Sequence, residues 1–282
     1  MLRNALLAIA LGCVALSGAG CGPNRTRPDR PSLDGGTEPP LDCVPNLDGR
    51  IDAREIAPVL GVPVSYLVNP ASEPRSVDLV GAIEGDARVW DLGSDYASDA
   101  ILELAARPIE GQWFADRFAV DADFATALDA GATLLGVYRH GESALELLGI
   151  ASTEESPPEG RTLLVYQTPI VVLRFPLEAG ARWISTAEIR DGTIRGLPYA
   201  GRDTYDVAVI GEGTLVLPDL TVDRALRVAT SVTIEPAAGE SVSRRQSSFF
   251  FECLGEVARA TSHDGETSDD FTVAAELRRL GI

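Results

Sequence analysis

The chain has 282 residues, and its 42 acidic side chains exceed its 24 basic ones to leave a formal charge of −18. Every basic side chain among those 24 is arginine, since the chain contains no lysine. Such a charge repels nucleic acid and anionic headgroups, so no nucleic-acid partner is expected, while a hydrophobic content of 45 % is ordinary for a globular body.

Met1-Leu2-Arg3-Asn4 carries one positive charge, Ala5 to Leu16 is an uncharged apolar run, and Ser17-Gly18-Ala19-Gly20 leads up to Cys21. A charged start, a short apolar core and a small-residue exit predict a secretory signal peptide over residues 1–20. The run is shorter than the ~20 apolar residues that a bilayer span needs. With a cysteine directly after small residues, the segment resembles a bacterial lipoprotein signal, although Gly18 stands where that family prefers Leu. Cys13, after Ala10-Leu11-Gly12, is a rival that would leave a very short core. The resemblance implies acylation of Cys21 and attachment to a membrane through that lipid. Gly22 in place of Asp after the cysteine implies the outer membrane. Residues 21–42 form a linker: Gly22 to Leu41 holds five prolines, three glycines and no aromatic residue, too little apolar area to offset the entropy of ordering it.

About 260 residues follow the signal, enough for one large or two modest domains. Cys43 and Cys253 are the two cysteines left over. In an oxidising compartment they read as one disulfide, contributing ~4–5 kcal/mol in the chain-entropy view; the alternative is two buried thiols. From Val44 to Glu55 the chain follows an EF-hand calcium loop from its third position onward. Asn46 and Asp48 would be side-chain ligands, Gly49 the sharp turn, Asp52 a ligand through water and Glu55 the bidentate ligand. Val44 stands where the first Asp belongs, and no flanking helix pair is evident. A weak Ca²⁺ site therefore competes with a plain turn, in which Asp48-Gly49 bends the chain and Glu55 starts a helix. No other cofactor is implied.

The body reads as mainly β: an antiparallel curved sheet, half-barrel or sandwich with few short helices. In an N-terminal β-rich region, 43–158, strand runs are Ser65–Val68, Val77–Ala82, Ala87–Leu92, Gln112–Val120, Thr133–Arg139 and Ala144–Ala151. In a C-terminal half-barrel-like region, 159–282, they lengthen: Thr162–Phe175, Arg182–Arg190, Thr193–Leu197, Thr204–Gly211, Gly213–Leu217, Arg224–Ile234, Ser247–Cys253 and Glu256–Ser262. Turn signals recur about every 8–12 residues. Asp191-Gly192 predicts a hairpin turn. Short helices are expected at Asp52–Leu60 and Asp121–Ala130, and the alternation from Phe271 to Leu280 predicts a closing strand.

Three segments carry a resemblance. Leu173-Arg174-Phe175-Pro176-Leu177 with Gly180 and Trp183 is similar to an "FPL, gap, G, two residues, W" element. Thr214 to Val228, with Leu217-Pro218-Asp219 before Ala225-Leu226-Arg227-Val228, is similar to a "VPAGTF" turn followed by "ALRV". Ser247 to Val257 is similar to "YWFAPGVGEV". In this order and spacing, over about residues 165–262, they resemble TapB/DUF3108-type exported β-proteins, which implies a curved antiparallel sheet related to the half-barrels of lipoprotein carriers. Asp219-Leu220 and Glu252-Cys253-Leu254 depart from the family's turns. From Cys43-Val44-Pro45-Asn46 onward the chain also resembles a lipoprotein group of myxobacteria and their relatives. Neither resemblance implies any chemistry. Phe249-Phe250-Phe251 places aromatics on both sheet faces, so both faces are covered or one aromatic lines a groove.

Catalytic patterns are thin. The two histidines, His140 and His263, sit in distant loops. Ser262-His263-Asp264 has the letters of a triad, but a triad converges from separate elements. Asp121/Asp123 and Asp269/Asp270 could imitate a glycosidase pair, yet among so many carboxylates they read as solvated. The chain is therefore expected to be non-enzymatic, a binding or carrier module for a hydrophobic or envelope ligand. The alternatives are a structural or interaction protein of the envelope with weak Ca²⁺, and a carboxylate-based hydrolase.

Overall fold

A computed structural model describes residues 43–118 and 122–281. Cys21, the signal segment and the linker lie outside the described residues. The body from residue 42 onward is one compact unit, and strands from 43–158 and 159–282 share one sheet. From one edge its order is Ala100–Ala105, Pro63–Val68, Glu276–Leu280, Gly255–Thr261, Val242–Phe251, Thr221–Pro236, Leu197–Val216, Arg182–Ile194, Leu163–Arg174, Ala144–Ser152, Leu134–His140, Phe124–Ala127 and Arg107–Pro108. The two edge strands are separated in sequence by Ala106 alone, which bridges to Leu60. The sheet thus curls until its edges meet, and the mainly β body is a nearly closed antiparallel barrel.

The long strands form where β-branched and apolar residues alternate with polar ones, since successive side chains face opposite sides of a strand. Arg182–Ile194 and Leu197–Val216 run past the breaks expected between shorter segments. The turn joining them is Arg195-Gly196, both with positive φ (49° and 77°), the requirement of a two-residue hairpin. Asp191-Gly192 instead lies in a bulge of the ladder between Ile189 and Gly192, which lets the strand bend. Three other expectations fail: of the expected strand Val77–Ala82, residues 77–81 are irregular, and strands lie on either side, at Arg75–Ser76 and Ala82–Glu84. Phe124–Ala127 is a strand within the expected helix Asp121–Ala130, and Gln112–Phe118 is a turn and the short helix Ala115–Phe118 rather than a strand. In the latter two places the period-2 and period-3.6 patterns are too short to distinguish, and tertiary pairing decides. A 3₁₀ turn, Ala53–Ile56, stands where the helix Asp52–Leu60 was expected. The closing strand is present as Val273–Ala274 and Glu276–Leu280.

Outside the barrel, residues 77–92 and 271–274 form a second layer. Val77, Leu79, Trp90 and Leu92 pack with Phe249, Ala258, Ala260 and Phe271 in one buried cluster. The rings of Trp90 and Phe249 meet edge-on at 5.2 Å, and Trp90 Nε1 donates to Leu79 O at 3.0 Å. Buried arginines fasten this layer to the sheet. Arg227 donates to Ser247 Oγ, Asp270 Oδ1 and Asp269 O, each at 2.8 Å, and to Leu79 O. Arg279 donates to Leu92 O and Asp99, and Arg75 Nη2 reaches Asp99 Oδ1 at 2.7 Å. A planar fork of five donors satisfies several spread-out buried acceptors at once, where lysine offers three donors from a single nitrogen.

Candidate functional site: a cavity inside the barrel

The barrel interior is filled at one end and open at the other. At the filled end, Leu173, Leu177, Trp183, Val207, Val209 and Leu226 pack around Ile51. The segment from Cys43 to Ile56 lies across this end. Arg50–Ile51 pairs with Leu177–Glu178, Cys253 N donates to Glu55 O at 2.9 Å, and Cys43 and Cys253 are joined by a disulfide with Cα atoms 5.5 Å apart. Buried Glu252 accepts from the Asn46 and Leu47 N–H groups at 2.6 and 2.8 Å. Glu252 and Cys253 thus add a carboxylate anchor and a covalent link to the strand pairing of Arg50–Ile51 in holding the N-terminal segment.

The residues of the calcium-like loop serve this segment's own backbone. Asn46 Oδ1 accepts from Asp48 N at 2.8 Å, Asp48 Oδ1 from Arg50 N at 3.0 Å, and Glu55 Oε2 from Asp52 N at 2.7 Å, while Glu55 Oε1 takes the Asn46 amide at 3.1 Å. Asp52 pairs with Arg50. Asn46, Asp48, Asp52 and Glu55 therefore build a turn, and among the described residues no group of three or more acidic, His or Cys side chains gathers to hold a metal. Burial raises Glu55 above the usual carboxylate pKa, partly countered by its bond from Asp52 N–H.

Toward the other end a cavity of about 460 Å³ opens, its floor against Phe250, Leu173 and Val228 and its mouth at Leu128, Leu134, Ile234 and Val242. Phe249 is thus buried in the outer layer, while Phe250, its neighbour, lines the cavity, as alternation requires. One wall is apolar and aromatic: Phe124 stacks on Tyr138 with ring centroids 5.3 Å apart, beside Leu147, Ile150 and Val172. Gly136 leaves room for this arrangement, since a Cβ there would lie 2.6 Å from the Tyr138 hydroxyl.

The facing wall is polar, because here the sheet turns its apolar side outward. Ala258, Ala260 and Leu277 enter the outer cluster, so Arg259, Thr261 and Glu276 face in. Arg259 binds Glu256 through two contacts, Nη2–Oε2 at 2.7 Å and Nε–Oε1 at 2.9 Å. Behind it Arg278 Nη2 donates to Glu276 Oε1 at 2.9 Å, and Glu276 Oε2 accepts from Ala130 N at 3.0 Å, tying the 128–132 loop across the mouth. Burial works against the Arg259 charge, but the Glu256 carboxylate outweighs it and the pKa is raised. Burial pushes the Tyr138 hydroxyl up to about 12, so it is protonated at neutral pH. Farther along the interior, buried Asp203 accepts from the Tyr166 hydroxyl at 2.6 Å. Burial raises its pKa, the Tyr166 bond opposes that, and its second oxygen has no partner.

The other residues weighed for catalysis are dispersed. Asp123 accepts from His140 N at 2.6 Å, and Asp121 lies outside the described residues. Asp270 pairs with Arg227 and Asp269 with Arg245. Ser262 Oγ accepts from Arg245 N and donates to His263 O, while Asp264 pairs with Arg244, so these three consecutive residues face separate partners. His140 abuts Phe175 at 5.5 Å between ring centroids, and burial lowers its pKa. No residue of the polar wall is among the candidates expected from the sequence. Val257-Ala258-Arg259-Ala260-Thr261 alternates small apolar residues with polar ones, which separates two faces but does not say which of them goes inward. In comparisons with protein-family models, curated proteins and solved structures, the chain matches none.

Proposed function

We propose that this chain is an exported, lipid-anchored protein of the bacterial envelope, held to the outer membrane through Cys21, whose barrel binds and carries a hydrophobic ligand without catalysing its conversion. The observation that carries the reading is the cavity of about 460 Å³, within the ~300–1,000 Å³ typical of small-molecule pockets. A barrel that only had to be stable would fill this space, since proteins close-pack their interiors and empty apolar volume is destabilising. The aliphatic rim, with Ile234 and Val242 38 % and 37 % exposed, suits transfer of an apolar molecule from a membrane. The arginines support the same reading, because each buried one described above is spoken for by a carboxylate or a carbonyl.

The test is to purify the mature chain from its host, extract it with organic solvent and identify what is released by mass spectrometry. A stoichiometric hydrophobic molecule is expected, and a Val228→Trp chain, with the floor filled, is expected to keep its fold and lose that molecule. Equal ligand content in the filled variant overturns the cavity as the binding place. For the anchor, the same spectra should show a mature N-terminus at acylated Cys21; an intact Met1 with a free Cys21 thiol overturns export and anchoring together.

A further inference from the structure

We propose that the cavity is selective for an uncharged amphipath, an acyl chain ending in a hydroxyl- or ester-bearing polar group, and discriminates against fatty-acid carboxylates and alkylammonium ions of the same length. This inference rests on the carrier reading above and adds the chemical class of the ligand.

The polar wall is electrically closed. Both Glu256 oxygens are taken by Arg259, at 2.7 and 2.9 Å. Both Glu276 oxygens are taken as well, one by Arg278 at 2.9 Å and one by Ala130 N at 3.0 Å. At the mouth Arg244 contacts Asp264 through Nε at 3.0 Å and Nη2 at 2.8 Å. An entering carboxylate would have to share an arginine that a protein carboxylate already neutralises, leaving two carboxylates on one counter-charge. An ammonium group inside the cavity that paired with Glu256 or Glu276 would strand an arginine in the same way. Asp129 lines the mouth, where its Oδ1 accepts from Thr133 N at 3.4 Å; deeper on the wall the remaining groups are neutral, Thr126, Thr230, Gln246, Ser248 and Thr261, each able to donate and accept. A hydroxyl or ester head can pair with these without opening either ion pair, while its chain lies along Phe124, Leu147 and Phe250. The charge of −18 disfavours anions further.

The experiment is displacement of the neutral fluorophore N-phenylnaphthylamine from the mature chain by monoolein, oleate and oleylamine. Monoolein is expected to displace it at a concentration at least about tenfold lower than either charged lipid. Equal or better displacement by oleate or oleylamine overturns the selectivity while leaving the carrier reading intact. If neither the fluorophore nor any of the three lipids binds, the carrier reading falls and this inference with it. A Glu256→Gln chain, which frees Arg259, is expected to bind oleate about tenfold more tightly than the natural chain, with monoolein changed less than about threefold. Unchanged oleate binding in a folded variant overturns the proposal. Should circular dichroism show that Glu256→Gln does not fold, Asp264→Asn frees Arg244, which lines the mouth, and serves the same comparison.

Discussion

The long-strand wall, residues 163–261, and the short-strand sector that closes it, residues 63–68, 100–118 and 122–127, are held by different means. In the long wall, Leu197–Val216 and Thr221–Pro236 pair over most of their length, and their side chains are buried on both faces, inward on Val207 and Val228 and outward on Leu215 and Ala225. The closing strand Ala100–Ala105 has no fully buried residue; its place is set by its backbone ladder with Pro63–Val68. Side-chain burial therefore carries the first region; in the second it holds the cluster of Ile109, Phe114, Phe118 and Ala125, while main-chain hydrogen bonding holds the closing strand, and a substitution series should separate them.

The largest effect is expected at the covalent link from the N-terminal segment to the long wall. Cys43 and Cys253 close a loop 210 residues apart in sequence, and replacing both with Ala should lower unfolding stability by about 5 kcal/mol in the chain-entropy view, read by urea denaturation. A loss below about 1 kcal/mol would mean that the unfolded chain gains little freedom. Next come two equal truncations in the two regions. Phe249→Ala removes a fully buried ring from the outer cluster of the long wall and should cost about 3–5 kcal/mol. Phe124→Ala removes a ring of the closing sector that already borders open space, and should cost less, about 2–3 kcal/mol, because truncation costs depend on how the surroundings relax. Equal costs would erase the distinction between the regions.

A smaller effect, with a sign that depends on pH, is expected at the Tyr166–Asp203 contact. Burial raises the Asp203 pKa and the Tyr166 hydroxyl pulls it back. An acid whose folded pKa lies above its unfolded value favours folding most when protonated, so its contribution falls as pH rises through the folded value. Tyr166→Phe removes the hydroxyl that tolerates the charge. Its cost should be about 1–3 kcal/mol at pH 7.5 and smaller toward pH 4.5, as urea midpoints at the two values would show. A cost that is constant or larger at low pH contradicts a buried charge at Asp203.

The contrast between the regions also explains what could be read from the sequence. The long strands were legible because alternation in stretches such as Tyr205-Asp206-Val207-Ala208-Val209 encodes an inside and an outside, and the disulfide partners followed from counting cysteines. The strand at Ala100–Ala105 was not legible, because Ala100-Ile101-Leu102-Glu103-Leu104-Ala105 does not encode one buried face. Phe124–Ala127 read as helix for the same reason, whereas the mainly β, curved antiparallel sheet was legible, and it nearly closes. The cavity's polar wall went unseen because Arg259 and Glu276 point into the barrel, where a strand pattern places apolar side chains by default. Only the outer cluster over Ala258 and Ala260 reverses that assignment, and it is assembled from residues 77–92, far away in sequence.

The smallest effect sharpens the comparison most. Ile101, in the closing strand, is 74 % exposed and faces Leu67 across the ladder. Ile101→Thr keeps a β-branched side chain, hence the strand preference, and removes apolar area that water already covers. The change in stability should stay within about 0.5 kcal/mol, although the residue belongs to the strand that closes the barrel. Leu102→Pro in the same strand removes a backbone N–H instead of a side-chain contact and fixes φ, so where that N–H serves the ladder with Tyr66 it should cost far more. If Ile101→Thr costs as much as a core truncation, side chains hold the closing strand after all; if Leu102→Pro is silent, the ladder does not. Closure by backbone pairing, without buried side chains, requires the first change to be silent and the second to be damaging.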